Sequence, residues 1–166
     1  MEKENKRYEL FCQMIDSFDD GCDLTNEYDA MLHNYNGVIM FQAESQLIKM
    51  IGNNPGITAS ELAQRSKKTN SACSQLIRKL KQKGWVIQKR NESNNRMWNL
   101  FLTEEGEQIY QAHYQFESRC YLRTFHSLEQ FTEEELGIYL KIQNQINETF
   151  KIDIEESKEL NINIKN

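Results

Sequence analysis

The sequence predicts a mainly α-helical chain with a single β-hairpin, in the order helix, short turn, helix, hairpin and further helices. Two observations favour this fold class. Apolar residues recur at helical spacing through most of the 166 residues. Helix starts are also legible, because residues 58–61 and 132–135 both have the capping-box pattern, in which a Thr oxygen accepts an amide hydrogen and a Glu reaches back. At this length we expect one compact domain.

The positions of the helices are predicted from this periodicity and from turn residues. The pattern places helices at approximately residues 3–18, 27–35, 41–52, 58–66, 70–83, 104–128 and 133–150. Residues 16–27 share some features of an EF-hand loop, but Phe18 stands where a calcium ligand is needed. A helix break at Gly21 is the better interpretation of this segment.

The hairpin is predicted from two short runs with strand character. Residues 85–88 and 97–102 contain Trp, Val, Ile, Phe and Leu, and they flank the polar stretch 91–96. This arrangement is typical of paired strands with a long, solvated tip.

Positive charge is concentrated before and within the hairpin. Residues 62–91, called here the basic segment, contain nine Lys or Arg and no Asp or Glu. The other 136 residues carry 11 basic and 25 acidic side chains, a net charge of −14. A polyanion is the expected partner, since neutralising phosphates releases condensed counterions.

The basic segment covers elements in the order of a winged helix-turn-helix with a two- or three-stranded β-wing. These elements are a helix, a short turn, a second helix and a hairpin. In the second helix, Cys73, Leu76, Ile77 and Leu80 recur at core spacing. The opposite face can enter a major groove, where Gln pairs with adenine and Arg with guanine. Gln75 and Arg78 are therefore the predicted base readers.

Several segments resemble the MarR-type transcriptional regulators, which are bacterial winged-helix dimers that usually repress genes for efflux, stress defence or degradation of aromatic compounds. The resemblance runs from about residue 40 to 109. It is carried by residues 54–58 leading into Glu61-Leu62-Ala63, by residues 76–80, by Lys83-Gly84-Trp85-Val86, and by residues 102–106 after the hairpin.

The wing departs from the pattern of that family. The family usually carries Asp-x-Arg at the tip, whereas this chain has Asn94-Asn95-Arg96. Arg96 is still expected to enter the minor groove, where the negative potential attracts arginine. The predicted DNA contacts are Arg65, Lys67, Lys68, Asn70, Ser71, Ser74, Gln75, Arg78, Lys79, Lys89, Arg90, Asn94 and Arg96.

The chain ends are predicted to form a homodimer. DNA-binding proteins of this kind usually act as two-fold symmetric dimers. Their recognition helices lie about 34 to 36 Å apart on pseudo-palindromic double-stranded DNA. Apolar stripes outside the winged lobe supply candidate dimer contacts, namely Tyr8, Phe11, Cys12 and Ile15, and Leu136, Tyr139, Leu140, Ile146 and Phe150. The expected division is an N-terminal dimerisation segment at 1–40, a DNA-binding lobe at 41–103, and C-terminal helices at 104–166 that complete the dimerisation region.

The resemblance also implies an effector pocket between the dimerisation helices and the DNA-binding lobe. Its candidate residues are Tyr8, Phe11, Tyr35, Phe41 and His113, which suit a small aromatic or phenolic ligand. A ligand that prefers one of two dimer states would lower the affinity for the operator. The chain is then a repressor that its ligand releases from DNA.

Two alternatives remain open at this stage. Cys12, with Tyr28 and Tyr35 further along the chain, resembles the thiol of redox-sensing family members, although Cys is commonly a buried small hydrophobe. The winged helix could instead bind an acidic protein.

Other classes of function find little support in the sequence. Catalytic motifs are missing, so we expect no enzyme and no cofactor. The spacing of His113, Cys120 and His126 argues against a metal site. A charged N-terminus and the lack of a long apolar run predict a cytoplasmic protein without a membrane partner.

Overall fold

The structure is a computed structural model that describes residues 2–91, 94 and 97–164. It confirms the mainly helical fold with a winged helix-turn-helix. In chain order the elements are α1 (Glu2–Ala30), β1 (Leu32–Tyr35), β2 (Val38–Phe41), α2 (Gln42–Asn53), α3 (Ala59–Arg65), α4 (Asn70–Gln82), β3 (Val86–Arg90), β4 (Trp98–Leu102), α5 (Glu104–Ser127) and α6 (Glu133–Ile164). The chain divides into two compact units, Met1–Ser118 and Arg119–Asn166.

The N-terminal helix is longer than predicted, and the helix break expected at Gly21 is wrong. Helix α1 continues through Gly21 to Ala30, and the Thr25 hydroxyl donates a hydrogen bond to the Gly21 carbonyl at 2.9 Å. One glycine inside a helix costs about 1 kcal/mol relative to alanine. That cost is smaller than leaving two more helix ends with unsatisfied backbone groups.

The helix predicted at residues 27–35 is also wrong over its second half, where the chain forms a second β-hairpin. Strands β1 and β2 pair antiparallel, with Tyr35 opposite Val38 across an Asn-Gly turn. Asn36 and Gly37 both have positive φ, at 52° and 91°, as a tight hairpin turn requires. The Asn34 side chain accepts a hydrogen bond from the Gly37 amide at 2.7 Å.

The wing is the second antiparallel pair, β3 with β4, in a register that sets Val86 opposite Leu102 and Arg90 opposite Trp98. Thr58 adds a single bridge to Asn99 on the outer side of β4. The third strand that the sequence allowed is therefore reduced to one residue pair. Thr58 also begins α3 with the predicted capping box, since Glu61 N–H donates to its oxygen at 3.3 Å and Thr58 N–H donates to Glu61 at 2.8 Å.

The hydrophobic core of the winged lobe is formed by one face each of α2, α3 and α4 together with the wing. Its fully buried side chains include Leu47, Ile48, Ile51, Leu62, Cys73, Leu80, Val86 and Leu100. Helix α5 packs close to this core through Gly106, where an added Cβ would lie 2.0 Å from the carbonyl oxygen of Trp85. A side chain at this position would collide with backbone, which explains the glycine in the segment after the hairpin.

Helix α6 begins with the second predicted capping box. Glu135 N–H donates to the Thr132 oxygen at 3.2 Å, and Thr132 N–H donates to the Glu135 carboxylate at 2.8 Å. The helix extends past the predicted end near residue 150 to Ile164. None of the helices among the described residues is both long enough and apolar enough to cross a membrane.

Candidate nucleic-acid interface

Helix α4 presents one apolar face to the core and one polar face to solvent. Cys73, Ile77 and Leu80 are buried, with Leu76 partly buried against the same core. The other face is exposed along the whole helix. Its exposed polar residues are Asn70, Ser71, Ser74, Gln75 and Arg78. The helix thus holds its polar side chains on a rigid support, in the arrangement that a major groove can accept.

The turn before α4 is built by a recognisable C-cap. Lys67 has a φ of 52°, in the left-handed region. Lys68 N–H donates to the Ala63 carbonyl at 3.1 Å and Lys67 N–H to the Gln64 carbonyl at 3.2 Å, which is the Schellman pattern. Thr69 then caps α4 by accepting a hydrogen bond from Ala72 N–H at 3.2 Å. Lys67 and Lys68 are exposed at this turn, next to the start of the exposed polar face of α4.

The cations of the basic segment are held in different ways. Arg65 donates to the Asn54 side chain at 2.6 Å. Lys79 and Lys83 both reach the carboxylate of Glu44, at 3.3 Å and 2.7 Å. Lys79 and Lys83 therefore share one buried carboxylate, which balances one of their two positive charges. Of these two lysines, only Lys79 was among the predicted DNA contacts.

On the wing, two predicted contacts lie over aromatic rings. The Lys89 ammonium is 5.3 Å from the centre of the Phe101 ring, and the Arg90 guanidinium is 5.4 Å from that of Trp98. All four side chains lie on β3 or β4, and each ring attracts its cation and holds it against the wing. Asn94 is exposed and its backbone N–H donates to the Asn91 side chain at 2.9 Å. Arg96, the predicted minor-groove residue, lies outside the described residues.

The residues predicted for an effector pocket fall into separate contact groups. The rings of Tyr35 and His113 lie 5.1 Å apart and both side chains are buried. Tyr8 and Phe11 form an exposed pair on α1, with ring centres 6.1 Å apart. The ring of Phe41 lies under the Lys79 ammonium at 5.4 Å. Within the described chain, the contacts therefore join only Tyr35 and His113 into a buried cluster.

That cluster contains further polar groups, among them His33, which the sequence also offers as a polar contact for an effector. His33 is buried and its Nε2 lies 2.9 Å from the Tyr28 carbonyl oxygen. The Tyr35 hydroxyl is 3.2 Å from the Ser45 oxygen, and the Phe116 ring packs edge-on against Tyr35 at 5.4 Å. The Asn-Gly turn signal could have placed His33 and Tyr35 on one inward strand face. Nothing local to the sequence indicates that α5 meets them.

His113 carries the one buried side-chain nitrogen without a hydrogen-bond partner in the described part of the chain, Nδ1. Burial lowers the pKa of the His113 imidazole, and the charge of Glu117 only partly opposes this shift. Glu117 is itself held by Lys49 at 2.6 Å. The buried imidazole is therefore neutral at ordinary pH, and Nδ1 is available to a ligand or a water molecule.

The four cysteines are free thiols in the structure. Cys73 is buried in the winged lobe, and burial raises the pKa of its thiol. Cys12 is partly exposed on α1. Over the described ranges, no three His, Cys, Asp or Glu side chains come together as a candidate metal-binding group.

Comparison with known proteins agrees with this geometry. Residues 42–87 match the family described as winged helix-turn-helix DNA-binding. Comparison with curated proteins gives no match to this chain. Residues 42–87 span α2, the helix-turn-helix and the start of the wing, which are the elements that carry the exposed polar face.

Solved structures extend the similarity to most of the chain. The zinc-responsive MarR-family member ZitR of Lactococcus lactis superposes with a TM-score of 0.72 at 17% identity, covering 85% of this chain and 99% of ZitR. FabT of Streptococcus pneumoniae, in complex with DNA, gives a TM-score of 0.65 at 19% identity, covering 87% of this chain and 97% of FabT. The chain therefore has the winged helix-turn-helix fold seen in MarR-family regulators, and its residues 42–87 match the winged helix-turn-helix DNA-binding family.

Proposed function

We propose that the protein is a transcriptional regulator of MarR type that binds double-stranded DNA as a homodimer and represses its target genes. One observation carries the proposal. The polar face of α4, with Gln75 and Arg78 at its centre, is exposed while the opposite face is buried in the core. Exposed cations at the preceding turn and on β3 would suit contacts with phosphates beside the groove. A DNA partner also implies a cytoplasmic location.

The homodimer accounts for apolar surface that a single chain leaves in water. On α1, the side chains of Tyr8, Leu10 and Phe11 are 65%, 53% and 50% exposed. On α6, Tyr139 and Leu140 are each 60% exposed. Large apolar side chains exposed in such numbers on a helix mark an interaction site, and a second copy that covers them would also supply a second α4.

Ligand release of DNA is the regulatory part of the proposal. The supporting observation is the buried pair Tyr35 and His113, with an unpartnered nitrogen at His113 Nδ1. A phenol or a protonated acid could donate to that nitrogen while its ring packs against Tyr35. The ligand would act by binding the DNA-free state more tightly than the DNA-bound state.

The experiment that tests DNA binding begins with duplexes selected by the protein from a randomised pool. Affinity for a selected duplex and for a scrambled duplex of the same composition is then measured by fluorescence anisotropy across a salt series. We expect tighter binding to the selected duplex, and a log-linear fall with salt on both duplexes. Failure to enrich any sequence, together with salt-insensitive binding, would contradict the proposal.

Redox sensing through Cys12 is the second candidate, supported by partial exposure of this thiol on α1. Under this alternative, peroxide releases the selected duplex from the wild-type protein, whereas Cys12→Ser stays bound. Release of both proteins by peroxide would remove Cys12 as the sensor.

A protein-binding role of the winged helix would show as binding to an acidic protein in place of DNA.

A further inference from the structure

Glu44 is a buried carboxylate at the junction of α2 and α4. It is 1% exposed and lies in the first turn of α2. Its Oε2 accepts a hydrogen bond from the Phe41 N–H at 3.1 Å, which satisfies one free amide at the start of α2. Its Oε1 accepts from Lys83 at 2.7 Å and lies 3.3 Å from the Lys79 ammonium. One carboxyl group thus joins the first turn of α2 to the last turns of α4.

The two lysines are held from the other side by aromatic rings. The Lys79 ammonium is 5.4 Å from the centre of the Phe41 ring. The Lys83 ammonium is 4.4 Å from that of Trp85. Lys79 and Lys83 are four residues apart on α4, so both project from one side of the helix. Each ammonium therefore has a ring and a share of one carboxylate as partners, and the Lys83 side chain is the less exposed of the two, at 29% against 47% for Lys79.

The charge state of Glu44 agrees with this arrangement. Burial by itself raises the pKa of the carboxyl, but hydrogen bonds from Lys83 and the Phe41 N–H, with the charge of Lys83, bring the pKa below its ordinary value. The group is ionised in the folded protein. Removing either partner of such a pair leaves a buried or partly buried charge without compensation.

We infer that Glu44 is a positioning residue for DNA reading, whose buried carboxylate fixes the orientation of α4 by holding Lys79 and Lys83. This inference rests on the proposed function. Lys79 directly follows Arg78, the last predicted base reader. If the contact between Lys79 and Glu44 shifts, the exposed polar face of α4 therefore shifts with it. The same contacts withdraw Lys79 and Lys83 from the cations that neutralise phosphates, although the sequence predicted Lys79 as a direct DNA contact.

A purely electrostatic effect of Glu44 and a positioning role of Glu44 predict opposite changes in DNA affinity for Glu44→Gln. Removing an acid raises the affinity of a protein for a polyanion if charge alone matters. If Glu44 positions α4, Glu44→Gln lowers the affinity for the selected duplex instead. We expect the ratio of affinities for the selected and the scrambled duplex to fall at least about fivefold, the effect of one lost base contact.

The lysine variants test the second half of the inference. Lys79→Met and Lys83→Met should lower the same ratio while leaving the salt dependence on the scrambled duplex unchanged. Lys67→Gly, which removes an exposed cation at the turn, should reduce that salt slope by about 0.9 per lost phosphate contact. If Glu44→Gln fails to fold, as judged by circular dichroism at the assay temperature, Lys83→Met decides the question.

Glu117→Gln is the matched control, because it breaks another ion pair of α2, with Lys49 at 2.6 Å, that does not involve α4. It should leave the affinity ratio unchanged. The inference is overturned if Glu44→Gln keeps or raises the ratio, if Glu117→Gln lowers it equally, or if Lys79→Met lowers the salt slope as Lys67→Gly does. Wild-type protein that binds neither duplex would instead refute the proposed function.

Discussion

Arg78 and Lys67 carry the same charge but lie in different settings, and we therefore expect them to have different roles in the proposed DNA binding. Arg78 stands on the rigid outer face of α4, between the buried residues Ile77 and Leu80. Lys67 stands at the turn, in the left-handed conformation, where its long side chain is exposed. A fixed guanidinium can select a base, whereas an exposed ammonium at a corner suits any phosphate.

Substitution of these two residues should separate specific from general binding. We expect Arg78→Ala to cost about 1 to 3 kcal/mol on the selected duplex and to relax the preference at one base pair. Lys67→Ala should weaken binding to selected and scrambled duplexes alike. Lysine and alanine share the strain of positive φ at this position, so Lys67→Ala changes only the side chain, whereas Lys67→Gly also relieves the backbone. Equal losses on both duplexes for Arg78→Ala would contradict its role as a base reader.

His113 should make the stability of the protein depend on pH. Burial lowers the pKa of its imidazole in the folded state, with Glu117, Lys49 and His33 as the charged or titratable groups around it. The unfolded chain takes up the proton at about pH 6.5, so the unfolded state binds more protons between that pH and the lowered pKa. The free energy of unfolding therefore falls as pH drops below about 6.5.

Denaturant unfolding at a series of pH values measures this effect. His113→Phe, which keeps a ring at the position and removes the titrating group, should flatten the fall of unfolding free energy just below about pH 6.5. At lower pH both proteins lose stability as Glu44 is protonated, since the folded pKa of that carboxyl is depressed and its contribution disappears as pH falls through it. An unchanged pH profile in His113→Phe would rule out this residue as the source.

At the scale of single elements, helix glycines have opposite roles that local sequence does not reveal. Gly106, in the first turn of α5, has no room for a side chain because of the Trp85 carbonyl. An added Cβ at Gly137, inside α6, would meet no atom within 4 Å. Both glycines lie in helices, so the difference between them comes only from what packs against each.

Alanine substitution at the two glycines should therefore change stability in opposite directions. We expect Gly106→Ala to lower the free energy of unfolding by about 3 kcal/mol, as overpacking against backbone does. Gly137→Ala should raise it by about 0.5 to 1 kcal/mol, because alanine is the better helix former. Chemical denaturation of the two variants beside the wild type provides the measurement. A neutral Gly106→Ala would mean that α5 and the wing are less tightly packed than in the structure.

For the whole molecule, the proposed dimer depends on apolar side chains near both chain ends. Leu140→Glu places a charge on the exposed apolar surface of α6 and should shift the protein from dimer to monomer in sedimentation velocity. The monomer should also bind the selected duplex less tightly, because only one half-site is contacted. Thr149→Glu is the control, since position 149 is nine residues away and faces the opposite side of the helix. A monomeric wild type, or a dimer that survives Leu140→Glu, would argue against α6 as the interface.

Local chemistry in the sequence was sufficient for much of the winged lobe. The Thr58 and Thr132 capping boxes, the helical period of α4 and the strand character of β3 and β4 each depend on neighbours within a few residues. The β1–β2 hairpin also has a short-range signal, the Asn36-Gly37 turn, which the prediction of a helix at residues 27–35 did not take into account.

What the sequence determined by itself is the charge distribution, the starts of helices α2 to α6 and the exposed polar face of α4. Only the tertiary structure decided that Glu44 pairs with Lys83, 39 residues later, and that Tyr35 meets His113 in a buried cluster. It also decided that α1 continues past Gly21. The physical reason is range: a cap or a periodic stripe is specified by adjacent residues, whereas a buried ion pair exists only once distant elements have packed and excluded water.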